Sequence, residues 1–200
     1  MAECFAIPLA VGTVVNQQQI LSAALAAAVA ELEAVVKQSP VCNIDETSWR
    51  QRNAQRRSWL WTVVTAQVTL FRIAPSRSGQ IARELLGDDY GGVAGTDRCS
   101  AYTWLKYRQY CWSHLLRDFQ KILERGGDSY PVGWYLKLQA DYLLMTWARV
   151  RDGTLDYGDF LAEFPTIQTQ IRHWLTLGLT VSSSHTAETC RRLLAADPNL

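Results

Sequence analysis

The sequence has little net charge, little lysine and no covalent cross-linking pattern, and each shortage excludes something. Twenty basic residues meet nineteen acidic ones, for a formal charge of +1 over 200 residues. The chain is therefore not a polybasic tract that holds nucleic acid by charge alone. Only four of the basic residues are lysine and sixteen are arginine. The planar fork of arginine suits phosphate, but a GC-rich genome gives the same bias, and the two explanations stand level. The five cysteines, Cys4, Cys42, Cys99, Cys111 and Cys190, are odd in number, contain no C-x-x-C pair and match no zinc spacing. They read as reduced, mostly buried thiols of a cytosolic protein. There is no low-complexity tract to argue for disorder. No basic segment precedes an apolar run at the start, so no secretion signal is read. The apolar stretch 20–36 carries Glu31 and Glu33 and reads as too polar and too periodic for a bilayer span.

What is present is a core-forming chain. Hydrophobic residues make up 48%, and the length suits one domain or one domain with an appendage. Residues 1–15 are an apolar lead-in with a break at Gly12-Thr13, and Asn16 is placed to cap a helix. Ile20, Leu21, Ala24, Leu25, Ala28, Leu32, Val35 and Val36 then recur at helical spacing until Ser39-Pro40, a stop because proline disfavours helix in the residue before it. This helix reads as core packing or a dimer contact. Short β-branched and aromatic runs follow at 41–45, 59–66 and 68–73, the last two joined by a tight turn near Gln67. A helix over 76–86 stops at Gly87, residues 91–97 form a fourth strand, and 107–111 supplies another. An amphipathic helix over 112–125 closes at Gly126-Gly127. Beyond it the pattern is helical: 131–150, 157–177 and 186–196.

Two predicted strands end in an acid, Asp45 and Asp97, 52 residues apart. If the first and fourth strands lie side by side in one mixed sheet, both carboxylates emerge at the same edge. Converging carboxylates in an open site are what a hard divalent ion requires, and two such ions can activate an attacking oxygen and stabilise a leaving one. A strand-end aspartate is more often a turn former or a cap, and spacing alone leaves both readings open.

Four words around these acids are more specific. In order they are Asp45-Glu46-Thr47-Ser48-Trp49, Trp59-Leu60-Trp61, Thr96-Asp97-Arg98-Cys99-Ser100-Ala101-Tyr102, and Cys111-Trp112-Ser113-His114-Leu115-Leu116-Arg117-Asp118-Phe119. The succession resembles the insertion-sequence-66 family of bacterial transposases, which has D-E-T-x-W, W-L-W, S-D-R-x-x-A-Y and C-W-A-H-L-x-R-D-F at similar intervals. Glu124-Arg125-Gly126-Gly127 and the run 149–155 also look like it, so the likeness covers about residues 8–200. It implies an α/β fold, a ribonuclease H-like mixed sheet with flanking helices followed by a helical insertion. Residues 1–40 would be a lead-in helix and linker, 41–127 the partial core, and 128–200 the insertion. It further implies an Asp-Asp-Glu triad in which Asp45 and Asp97 are the first two acids and ligands of two Mg2+ (or Mn2+) ions. The family's third acid lies in an Asn-Asn-x-x-Glu-Arg segment on a late helix. The sequence has no such segment, so the chain is expected to stop before it and to be inactive alone.

The resemblance implies metal-dependent cleavage and strand transfer of DNA, with element ends and target as partners, a homo-oligomer, no membrane, and a cytoplasmic, nucleoid-associated place. Arg52, Arg56 and Arg57, in the basic run after the first strand, are candidate phosphate contacts; a solvated loop explains them equally well. Arg98 would touch phosphate or pair with a neighbouring acid. His114 and Arg117, one helix turn apart, are further DNA-binding candidates, and a helical histidine is also commonly structural. Asp118 on the same helix is the nearest in-chain substitute for the third acid. Glu46 follows Asp45 and so points to the opposite strand face, in a structural or outward role. His173 and His185 show no ligand spacing, and Trp134, Trp147 and Trp174 read as core. The alternative function is an inactive DNA-binding or dimerising remnant that modulates an intact transposase.

Overall fold

The computed structural model describes residues 10–50 and 57–195. The chain divides into two compact units, Met1–Arg108 and Gln109–Leu200.

The first unit opens with α1, Val11–Gln38. It starts earlier than the expected cap at Asn16: the amides of Thr13 and Val14 donate to the Ala10 carbonyl at 3.0 and 3.2 Å, and Asn16 lies exposed inside the helix. Gly12 costs about 1 kcal/mol in a helix interior, which a long alanine-rich body can absorb, so Gly12-Thr13 does not break it. At the other end the Ser39 hydroxyl donates to the Val35 carbonyl at 2.8 Å. Only the C-terminal part of α1 reaches the core, through buried Val36 and partly buried Leu32. Ile20, Leu21, Leu25 and Val29 are exposed. By length and apolarity alone α1 would also suffice to cross a membrane, a test that core helices and signal sequences pass as well.

The strands are β1 (Val41–Trp49), β2 (Ser58–Val64), β3 (Thr69–Ala74), β4 (Val93–Thr96) and β5 (Arg108–Tyr110), with α2 (Gly79–Leu86) before β4 and a 3-10 turn, Ser100–Tyr102, after it. The five-stranded sheet is mixed, in the order β3-β2-β1-β4-β5. β1 pairs antiparallel with β2, β2 antiparallel with β3, and β1 parallel with β4. The first unit ends inside β5. β1 runs four residues past the expected end because Glu46 to Trp49 continue the ladder opposite Trp61 to Ser58. The turn between β2 and β3 falls near Gln67 as expected, closed by the Thr65 amide on the Val68 carbonyl at 2.9 Å.

Alternation along β1 decides what faces what. Cys42, Ile44 and Glu46 are buried, as are Trp61, Val63, Leu70, Ala74 and Ala94. They form one core with Val36 of α1 and with Ile81, Ala82, Leu85 and Leu86 of α2. The intervening residues point to the other face, where Asp45 stands opposite Thr62, and Thr62 opposite Phe71. Val41, Val64, Phe71, Ile73 and Val93 of this face are exposed.

Among the described residues the second unit contains four helices: α3 (Trp112–Glu124), α4 (Ser129–Arg151), α5 (Tyr157–Leu177) and α6 (Ser184–Ala195). Leu115, Phe119 and Ile122 of α3 share a core with Leu136 and Leu143 of α4, Ile171 and Leu175 of α5, and Leu193 of α6. Six α-helices are thus found among the described residues. Cys190 is buried in this core, and burial pushes its thiol up to about 11, as expected of an unreactive thiol.

α3 and α4 approach closely at Gly133, where an added Cβ would stand 2.6 Å from the Leu123 Cα. Alanine is favoured over glycine in a helix by about 1 kcal/mol, but overpacking against backbone costs about 1–3 kcal/mol. The clash should win: Gly133→Ala is expected to lower the free energy of unfolding in a urea titration, whereas a gain would mean that the helices can separate freely.

Candidate functional site

Asp45 lies in the middle of β1 and not at its end, as the sequence had suggested; its alternation phase puts the carboxylate on the exposed face. Asp97 follows the last residue of β4. The parallel register pairs Val41 with Val93, Cys42 with Ala94 and Asn43 with Gly95. The same 52-residue offset separates Asp45 from Asp97, so the two acids lie two residues beyond the last pair, Asn43 with Gly95. Their nearest carboxylate oxygens lie within 4.8 Å of one another. The first unit thus brings together the two acids that the motifs single out.

The two carboxylates are held differently. Asp45 is exposed, and its Oδ1 accepts the amide of the next residue, Glu46, at 3.0 Å. Asp97 is bound at both oxygens. Oδ1 accepts the Cys99 amide at 2.8 Å, and Oδ2 accepts Nη2 of Arg77 at 3.1 Å.

Arg77 in turn belongs to a partly buried network. Its Nε donates to Glu46 Oε1, and the other Glu46 oxygen accepts the Tyr102 hydroxyl. The Glu46 side chain is wholly inaccessible to solvent. Burial pushes the Glu46 carboxyl up, while the hydrogen bonds from Tyr102 and Arg77 pull it the other way. Burial, and then the Glu46 partner, hold the Tyr102 phenol protonated far above its usual range. The hydrogen bond to Glu46 raises Arg77 further, as an ion pair should. Arg77 also lies over the Trp59 ring, 5.3 Å from its centroid. The segment before α2 is fixed by the Trp61 indole, which donates to the Ser76 carbonyl at 3.1 Å. Gly79 lets the start of α2 approach the 3-10 turn: a Cβ there would sit 2.9 Å from the Ala101 oxygen.

The donor set suits a hard divalent cation. Two carboxylates, one of them open to solvent, leave positions for water and phosphate oxygens, the way Mg2+ is usually held. Glu46, Asp97 and Cys99 also bring potential ligand atoms within 4.8 Å. That group fits a metal poorly, because the Glu46 side chain is closed to solvent and a thiol is a soft ligand beside hard carboxylates.

Arg52 and Arg56 lie outside the described residues. Arg57 is exposed immediately before β2, and Arg98 is half-buried beside Asp97. His114 and Arg117 lie on α3, in the second unit. The His114 Nδ1 is buried without a hydrogen-bond partner among the described residues, and the Arg117 Nε donates to the Ser113 carbonyl at 3.2 Å. Asp118 stands 3.6 Å from the Lys121 ammonium. Sequence reasoning missed Arg77 altogether. Tyr102 sits inside a quoted motif and so carried a signal; Arg77, in Ser76-Arg77-Ser78, carried none.

A family model described as "Transposase IS66 family" matches residues 1–143, a span that includes Asp45, Glu46, Arg77, Asp97, Tyr102 and α3. No curated protein matches the chain.

Removing the Tyr102 hydroxyl leaves a buried carboxylate short of a donor, which costs about 1–3 kcal/mol. Tyr102→Phe should therefore destabilise the chain in denaturant titration at pH 7. The hydroxyl bond lowers the folded-state pKa of Glu46, so its contribution is present above that pKa and shrinks as pH falls through it. A loss that does not vary with pH would mean that Glu46 is not ionised at neutral pH.

Proposed function

The chain belongs to the IS66 family of transposases, and on that premise we propose that it carries the metal-binding part of a DNA transposase core, with Asp45 and Asp97 as ligands. Membership points to DNA binding and to action on DNA. The observation that carries the finer reading is the convergence of the Asp45 and Asp97 oxygens to within 4.8 Å on adjacent parallel strands.

The ribonuclease H-like assignment is part of the proposal. It is supported by three antiparallel strands followed, after a helix, by a fourth strand parallel to the first. In this reading residues 41–127 are the core and 128–200 the helical insertion. α3 then carries a motif of the core while packing within the second unit.

Bound Mg2+ or Mn2+ would supply Lewis-acid activation of an attacking oxygen and charge stabilisation of a leaving one. The chain's own residues do the rest. Asp45 offers an accessible carboxylate on the sheet face that DNA must approach, and Asp97 offers one already oriented by two donors. The reaction assigned is in-line displacement at phosphorus: first by water, releasing a 3′-hydroxyl at the element's end, then by that hydroxyl on target DNA. No covalent bond to the protein forms. Arg57, with Arg52 and Arg56, would bind backbone phosphates and make DNA binding salt-sensitive; Arg98, beside Asp97, and His114 and Arg117 on α3 are further candidates for contact.

A second reading follows from the fate of Glu46. Its burial and its bonds to Arg77 and Tyr102 leave Asp45 and Asp97 as the carboxylates for metal in this cluster. The chain would then bind DNA or a second copy without cutting, and modulate an intact transposase. Co-expression with an active family member distinguishes the two: an unchanged transposition frequency would remove this reading.

Two outcomes are expected. In an active full-length family member, Asp→Asn changes at the positions matching Asp45 and Asp97 should each lower Mg2+-dependent strand transfer by at least roughly 100-fold; normal activity in either would end the assignment. In this chain, replacing Arg52, Arg56 and Arg57 by alanine should weaken DNA binding and reduce the slope of log K against log salt by about 1 for each lost phosphate contact. An unchanged slope would place the DNA path elsewhere.

A further inference from the structure

We propose that Arg77 is a positioning residue for the Asp97 carboxylate, held in place by Glu46 and Tyr102. The inference rests on the reading above, in which Asp97 is a metal ligand, and adds the device that aims it.

Asp97 has left the ladder of β4, so strand pairing no longer fixes its side chain. Two donors do so, one on each oxygen: the Cys99 amide and Arg77 Nη2. Asp45 needs no such help, since its backbone is held inside the ladder with β2, opposite Thr62.

An arginine positions another group only if it is itself immobile, because the free side chain carries about 2 kcal/mol of rotamer entropy. Arg77 is restrained from three sides. Its Nε binds Glu46, its guanidinium lies over Trp59, and the carbonyl before it is held by Trp61. Glu46 explains itself only in this role. A buried carboxylate is costly unless it is paired and hydrogen-bonded, and an apolar residue of similar volume would fill the core at less cost. Both Glu46 oxygens are used, one on Arg77 and one on Tyr102. Its side chain is inaccessible, whereas that of Arg77 is 40% accessible. The glutamate is the buried root and the arginine the arm that reaches the site.

Charge decides between positioning and blockade. One guanidinium serves two carboxylates, Glu46 and Asp97, and Asp45 adds a third negative charge. The cluster therefore stays net negative and keeps its attraction for a divalent ion. Lysine could not substitute: a single ammonium is a point charge and lacks the fork that contacts Glu46 through Nε and Asp97 through Nη2.

The test uses the 200-residue chain with Mn2+ as the probe, its binding followed by loss of the free-ion electron paramagnetic resonance signal. Exchange of the Cys99 amide with deuterium reports the Asp97 contact without any metal. R77K keeps the charge and loses the fork, so it should speed Cys99 exchange and weaken Mn2+ binding by roughly 10-fold, the scale for groups that orient metal ligands. E46Q, which removes the charge opposite Arg77 and leaves one acceptor oxygen for two donors, should move both readouts in the same direction and serves if R77K fails to fold. Unchanged exchange and affinity in the folded variants would overturn the proposal. So would tighter Mn2+ binding in R77Q, which would make Arg77 a competitor of the metal. D45N separates the two layers: if it binds Mn2+ as wild type does, the metal reading falls, and the hold of Arg77 on Asp97 is then decided by amide exchange alone.

Discussion

The parallel pairing of β1 with β4 is the constraint on which the rest depends. Parallel strands need a crossover connection, and here β2, β3 and α2 supply it. That long connection permits two acids 52 residues apart to stand two residues beyond the last pair, Asn43 with Gly95. A slip of one residue would turn Asp45 into the core and Glu46 out of it. The burial of Ile44 and Glu46 on one side and the exposure of Asp45 on the other therefore fix register and site geometry together.

The same strand also carries the support for the site on its opposite face. Asp45 and Glu46 are neighbours in sequence and belong to different layers, one open and one buried. Through Glu46 the buried layer reaches round the end of β4 by way of Arg77 and meets Asp97 again. Two of the words that mark the family, one beginning at Asp45 and one ending at Tyr102, are joined inside the protein by the bond between Tyr102 and Glu46. Their spacing has a structural reason beyond the acids themselves.

The second unit has a different logic. Its helices bury leucine, isoleucine and phenylalanine from four elements in a single cluster, with close approaches at Gly133 and Gly178. The alternation that organises the sheet is absent, and residues of α3 such as His114 and Arg117 are placed by helical phase alone.

Local pattern and motif were enough to read β1 to β4, the turn near Gln67, α2 to α6 in outline, and Asp45 and Asp97 as a pair, because alternation, helical spacing and turn chemistry are written in neighbouring residues. The start of α1 was misplaced, since weak local breakers such as Gly12 and Thr13 yield to the cooperativity of a long helix. The length of β1 beyond Asp45 was missed because it depends on partners in β2. Arg77 was invisible for the same kind of reason: its bonds to Glu46 and Asp97 span 31 and 20 residues, and nothing near Ser76-Arg77-Ser78 encodes them. The sequence by itself determined the order of elements and singled out Asp45 and Asp97. Only tertiary structure decided how those acids are held, because hydrogen bonds between distant side chains are set by packing and leave no local period to read.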